Sequence, residues 1–430
     1  MYSDHQESFG NYTAILREEL VPAMGCTEPI AIAYAAAKAK ELLGEEPRHI
    51  TVDCSGNIIK NVKGVTVPNS GGQKGIAVAA VLGITGGNAS KELEVIAGAD
   101  DAARARCKEL VDAGFCEVNH AEDVPNLYIS AKIRGEAHSA EVVIEHHHTN
   151  IVRMTRDGVL VFSKEAEEEA AEKQAAANAA DRNAMTLRGI LDYANGVEIS
   201  EISEVLARQI RYNSAISQEG LDHVWGAQIG KTMLEIWGNN VKTRAIAKAA
   251  AGSDARMSGC ALPVVINSGS GNQGITVSMP VLVYAREMEL SEERLYRALI
   301  VSNLVSVYIK HFIGPLSAFC GAVSAACGAG AAITYMSGGD YRHIADTITN
   351  TLGNVGGIVC DGAKPSCAAK IASSVHAAIL AHQMSMRDKH FNAGEGLVEA
   401  VGYIGKVGMK PTDHEILNVM IDKVDVNACL

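Results

Sequence analysis

Three cysteines in the last third of the chain stand where turns are expected. Cys320 lies between Phe319 and Gly321, Cys360 precedes Asp361-Gly362, and Cys367 follows Pro365-Ser366. A cysteine beside such a turn can aim its sulfur into a shared pocket rather than along a helix face. One turn between Cys360 and Cys367 could bring both sulfurs to one centre. Three thiolates around one centre suggest an iron–sulfur cluster with one open iron. A plainer reading stands beside that one, because free cysteine is among the most buried residue types and packs as a small hydrophobe.

A fourth cysteine sits in Met24-Gly-Cys-Thr-Glu-Pro29, ahead of an Ala-rich apolar run to Leu43. Thr27 suits an N-cap, and Glu28 and Pro29 suit a first helical turn. Cys26 is then expected at the positive end of a helix, where a thiol becomes more acidic. The competing reading is a helix-start cysteine that only packs. Two similar loops, NSGGQKG at 69–75 and NSGSGNQG at 267–274, each run into an apolar helix. Backbone N–H groups at such a start can hold an anion. Neither loop ends in Lys-Ser/Thr, which argues against a phosphate loop and favours a small carboxylate. Glycine for close helix packing accounts for the loops equally well. His146-His147-His148 falls at a strand end, where alternation keeps three neighbours from facing one metal, so a solvated edge is expected.

The elements that must position these groups fall into two textures. Residues 9–20 read as helix. Residues 48–68 alternate with Gly turns and read as two or three short strands, and a helix is expected over 100–113. Strands are expected over 115–119, 126–133, 140–146 and 151–155, with hairpin turns at Gly135 and Asp157-Gly158. From Lys164 the pattern is helical: a charged Ala-rich helix, then 185–195, 199–212, 222–250, 292–311, 316–336, 341–352, 367–384, 393–403 and 412–424, with a capping-box spacing at Thr412 and Glu415. The predicted fold is α+β. A mostly α-helical catalytic domain, residues 1–47 and 164–430, carries the cluster cysteines, and a smaller α/β domain, residues 48–163, is inserted into it.

At 430 residues the chain is long enough for two domains, and with 47% hydrophobic but 5% aromatic residues its core must be built from Ala, Val, Ile and Leu. A net charge of −12 without a basic block argues against nucleic-acid binding. Two uncharged runs, 257–285 and 311–339, are long enough to cross a bilayer. Gly, Ser, Asn and Pro break both, so they read as buried core, with no membrane partner. The polar start MYSDHQESFG shows no signal-peptide pattern, and ten cysteines without such a leader point to a reducing, cytoplasmic setting.

With these segments in view, the sequence resembles the L-cysteine desulfidase family, an iron–sulfur relative of the bacterial L-serine dehydratase α chain. The resemblance covers nearly the whole chain. It is carried by Met24-Gly-Cys-Thr-Glu-Pro29, Asp53-Cys-Ser-Gly-Asn57, Asn267-Ser-Gly-Ser-Gly-Asn272, Cys320-Gly321 and Cys360-Asp-Gly-Ala-Lys-Pro-Ser-Cys367. It implies a [4Fe–4S] cluster held by Cys320, Cys360 and Cys367, and a reactive Cys26. The reaction implied converts L-cysteine and water to pyruvate, ammonia and hydrogen sulfide without pyridoxal phosphate. The first loop departs from the family, with Asn69-Ser70 after Pro68, which loosens the inference about substrate. On this reading Ser55, Asn57, Asn267, Ser268 and Asn272 grip the substrate carboxylate. Cys429, one residue from the last, is a candidate to cap the open iron. Cys54, Cys107, Cys116, Cys260 and Cys327 read as packing.

Four alternatives stay open, the last of them a membrane carrier that rests on the two uncharged runs and that solubility without detergent would exclude. An iron–sulfur L-serine dehydratase would use the same cluster with hydroxide leaving. A pyridoxal phosphate lyase has only Lys364 and Lys370 as nominal Schiff-base candidates. A non-catalytic iron–sulfur or zinc sensor would leave the anion loops without a task. The partner expected is a small amino-acid substrate, with room for a homodimer.

Overall fold

The computed structural model describes residues 2–164, 180–314 and 319–391. The charged Ala-rich stretch after Lys164, the helices expected over 393–403 and 412–424, the Thr412–Glu415 pair and Cys429 lie outside the described residues. The architecture is α+β, as the sequence predicts.

Helix α1 (Tyr2–Glu19) leads through a three-residue strand, β1 (Pro22–Met24), into α2 (Thr27–Leu43). Six strands then form one sheet: β2 (His49–Cys54), β3 (Cys116–His120), β4 (Tyr128–Arg134), β5 (Ser139–Glu145), β6 (Ile151–Arg156) and β7 (Val159–Ser163). Their order is β3-β2-β4-β5-β6-β7, parallel between β2 and β3 and antiparallel between the other neighbours. In β2 every second residue is buried (Ile50, Val52 and Cys54), as a half-buried strand requires. The strands expected after it are instead a helix, α3 (Gly56–Val62). Its buried pairs, Asn57-Ile58 and Asn61-Val62, recur at helical spacing, and that period overrides the Gly-turn reading. Helix α2 is apolar on nearly every face because it lies between β4–β5 and α4 (Ile76–Gly86). Helix α5 (Asp101–Asp112) begins on the Asp100 carboxylate, which accepts from Ala103 N at 2.8 Å.

The remaining described helices are α6 (Leu187–Gly196), α7 (Ser203–Asp222), α8 (Ile229–Trp237), α9 (Val241–Met257), α10 (Gly271–Glu287), α11 (Glu292–Ile313), α12 (Gly321–Met336), α13 (Tyr341–Val355) and α14 (Ser366–Ser385). The single helix expected over 222–250 is two. Gly238, at φ +73°, ends α8, and the Asn240 side chain restarts the chain as α9 by accepting from Thr243 N at 3.0 Å. The helices of both uncharged runs, α10 and α12, are buried along almost their whole length. No described helix is long and apolar enough to cross a membrane.

A two-stranded ribbon joins distant parts of the chain. Strand β8 (Pro263–Val265) pairs antiparallel with β1, Met24 opposite Pro263 and Pro22 opposite Val265. Buried Asn213 of α7 clamps its far edge, donating from Nδ2 to Val265 O at 3.1 Å and accepting from Val265 N at 2.8 Å. The ribbon therefore delivers the segment before Cys26 and the loop after Ile266 to one place.

Candidate active site

Cys26 is the N-cap of α2, one residue earlier than expected, so Thr27 and Glu28 are the first helical residues. Gly25 before it has φ +56°, and a Cβ there would lie 1.9 Å from Pro68 Cγ, so this position of the GCTEP segment takes only glycine without rearrangement. The Cys26 thiol donates to Glu28 Oε2 at 3.0 Å. Thr27 Oγ1 reaches the same oxygen at 3.1 Å and Gly269 O at 2.9 Å, and Asn61 Nδ2 donates to Glu28 Oε1 at 3.0 Å. The expected acidity of Cys26 is reversed. Burial and then the Glu28 carboxylate push the thiol well above its ordinary value, and Arg256 opposes them only in part. Burial pushes Glu28 up, but His148, the Cys26 hydrogen bond and Arg256 outweigh it and leave the carboxyl below its usual value. At rest the proton sits on sulfur.

The second loop reaches the same place from the ribbon. Asn267 stands behind it, fully buried, with Nδ2 on Asn303 Oδ1 at 3.1 Å and Oδ1 accepting from Ser306 at 2.9 Å. Glu19 Oε2 accepts from Ser268 N at 2.9 Å while Arg182 grips its other oxygen, from Nε at 3.0 Å. Ser268, Gly269, Ser270, Asn272 and Gln273 thereby face forward.

The three other cysteines close the opposite wall. Cys320 is the N-cap of α12, its N–H donating to Ile358 O at 2.9 Å, next to a bridge between Phe319 and Val359. That bridge sets Cys320 beside Cys360, and their thiols share a hydrogen bond that holds Cys360 low and Cys320 high. Lys60 and Lys310 also favour the Cys360 thiolate. Cys367, in the first turn of α14, contacts Gly362 O at 3.6 Å and is pushed up chiefly by burial.

One cavity of about 530 Å³ joins these walls. Cys26, Ser268, Asn272, Cys320, Cys360 and Cys367 line it, together with Glu28, Lys60, Asn61, Arg256, Gln273 and Lys310. Three of the expected residues lie elsewhere. Asn267 spends its amide behind the loop. Ser55 caps α3 and donates to Asn126 O at 2.7 Å. Asn57 is buried at the start of α3, and Lys60 and Asn61, a turn further on, take the lining positions.

The histidine triplet is corrected too. Strand β5 stops at Glu145 and His146 turns at φ +64°, so strand alternation no longer applies. All three histidines line the cavity, and His148 Nε2 is shielded without a hydrogen-bond partner. Burial holds the His148 ring below its ordinary value, against the pull of Glu28.

Residues 125–418 match the family described as the serine dehydratase alpha chain. The chain belongs to that family. Relatives extend the likeness to the segment before residue 125, which holds Cys26 and Glu28. A UPF0597 protein of Lachnoclostridium phytofermentans is 48% identical over 416 residues, 95% of this chain and 98% of its own. One from Desulfitobacterium hafniense is 46% identical over 433 residues, 98% and 99%. One from Finegoldia magna is 45% identical over 422 residues, 96% and 100%.

The serine dehydratase alpha chain family is one of lyase-like enzymes that typically depend on iron and sulfide. The cavity suits such a group. Cys320, Cys360 and Cys367 are free, half-buried thiols, and Lys60, Lys310 and Lys370 supply positive charge around them. Among the described residues no three His, Cys, Asp or Glu side chains are drawn together tightly enough for a single metal ion.

Proposed function

We propose that the protein is an L-cysteine desulfidase, eliminating sulfide from L-cysteine to leave aminoacrylate, which hydrolyses to pyruvate and ammonia. One observation carries this reading: Cys26, hydrogen-bonded to Glu28, faces the same cavity as Cys320, Cys360 and Cys367. Those three would hold a [4Fe–4S] cluster, which when bound supplies a Lewis-acidic iron for the departing heteroatom.

The chain's own residues handle the proton. Glu28 Oε2 accepts the Cys26 proton, and the thiolate formed takes the proton from the substrate Cα. The high affinity of Cys26 for a proton makes it a strong base once emptied. Thr27 and Asn61 fix the carboxylate that empties it. His148, its ring held below its ordinary value by burial, stands close enough to Glu28 to favour the ionised carboxylate.

Elimination of water from L-serine is the second reading, favoured by the description of the matched family. The deciding experiment is an anaerobic assay of sulfide and pyruvate from L-cysteine and from L-serine, on protein reconstituted with iron and sulfide. Sulfide matching pyruvate from cysteine supports the first reading, and pyruvate from serine alone replaces it with the second. Cys320→Ala with full turnover would remove the cluster from either.

A further inference from the structure

Arg256 ends α9 with its side chain only 4% exposed, yet it lines the cavity. Its Nε is shielded and unpartnered, and its guanidinium makes no hydrogen bond or ion pair among the described residues. Its charge is felt by Glu28 and Cys26, but neither makes a hydrogen bond with it, and a buried cation whose donors are unmet is expensive. The fold makes room for it deliberately: a Cβ on Gly271, the first residue of α10, would lie 2.4 Å from Arg256 Nε.

Two more groups along the same wall are unmet, and both are acceptors. Asn272 Oδ1 and Gln273 Oε1 are shielded without partners, and both residues line the cavity. Gln273, 5% exposed, lies against Gly321, where a Cβ would approach its Cδ to 2.6 Å. The unmet set thus runs from the base of α10 to the residue after Cys320. It offers a forked cation beside two neutral acceptors.

That pattern is the complement of a zwitterion. We propose that Arg256 binds the α-carboxylate of the substrate, with Asn272 and Gln273 accepting from its α-ammonium, so that the site takes small free α-amino acids and refuses their amides. Planar guanidinium matches carboxylate through two parallel N–H···O bonds, which a neutral amide does not reproduce. The inference rests on the elimination reading for the identity of the reaction, but the recognition it describes is tested without turnover.

The probe is L-alanine, which has no β-leaving group, with L-alaninamide as its neutral-ended partner, titrated calorimetrically into the full chain reconstituted with iron and sulfide. The expected result is that L-alanine binds and L-alaninamide binds at least about 30-fold more weakly, the loss of a charged bidentate contact. Arg256→Gln should weaken L-alanine by a similar factor and leave L-alaninamide unchanged, and Arg256→Lys should recover part of the loss. Gly271→Ala keeps the arginine but crowds it, and should weaken L-alanine with thermal unfolding as the check on folding. No binding of L-alanine to the unaltered protein, equal binding of the amide, or Arg256→Gln within about threefold of the parent would each overturn the assignment. If Arg256→Gln does not fold, the acid–amide pair and Gly271→Ala decide. Failure of the elimination reading looks different: L-alanine held through Arg256, and no pyruvate from cysteine or serine.

Discussion

Loops 69–75 and 267–274 are near-copies in sequence, and the fold uses them in opposite ways. Both bend through left-handed backbone, at Asn69 and Ser268 respectively, and both open onto an apolar helix. The first closes on itself. Asn69 Nδ2 donates to Ile96 O at 2.9 Å and Ala99 O at 3.0 Å, and Ser70 Oγ and Gln73 O meet at 3.0 Å. Arg104 completes it, donating to Asn69 O at 2.9 Å, to Ala99 O at 3.0 Å and to Asn69 Oδ1. The second loop is fastened from behind by Asn267 and Glu19, and turns its front to a cavity where Arg256 has no such hydrogen bonds among the described residues. An arginine whose donors are met belongs to the scaffold, whereas one left unmet beside a loop of like composition is set to bind.

If the open side carries the chemistry, Cys26→Ser should lower sulfide release roughly 1,000-fold, within the range for loss of a general base, and leave iron and labile sulfide content unchanged. Retained turnover would mean the open loop faces an idle cavity. The arginines give a sharper contrast. Arg256→Gln should cost about 100-fold in turnover with little loss of stability, while Arg104→Gln should spare turnover and lower unfolding stability in urea by about 1–3 kcal/mol. Equal stability losses would erase the distinction.

A charge test follows on the open side. Cys26 is held as thiol above its ordinary range by burial and by Glu28, so alkylation by a small reagent should rise with pH beyond the value for a free cysteine. Glu28→Gln removes the negative charge and should move that profile to lower pH. A profile that stays put would detach Glu28 from the thiol. The smallest effect belongs to the closed loop, where Ser70→Ala should cost about 1 kcal/mol and leave turnover alone.

The sequence showed where the backbone turns better than it showed which charges meet. Cys26, Cys320, Cys360 and Cys367 were legible because Gly, Pro and Asp around them mark helix starts and turns, and such starts are where this fold exposes its cavity. Glu28 looked like an ordinary first-turn acid, and its role appears only when Cys26 itself proves to be the N-cap. His148 was hidden by a strand that ends one residue sooner than expected, with a left-handed turn at His146. Ser55 and Asn57 come from the resemblance, and in α3 the residues that line the cavity are Lys60 and Asn61, one turn further on. Arg256 stands at the edge of an uncharged run, and only three dimensions reveal that its guanidinium makes no hydrogen bond among the described residues. A lone Asp254 and Arg256 in a stretch of small apolar residues were the available hint.

The ribbon of β1 and β8 sets a timetable as well as a geometry. Thr27 and Gly269, joined at 2.9 Å beside the cavity, are 242 residues apart in the chain. On a ribosome adding about 5–20 residues each second, the first waits roughly 10–50 s for the second to emerge. A nascent chain therefore carries Cys26 for most of its synthesis without the cavity walls that surround it in the folded protein.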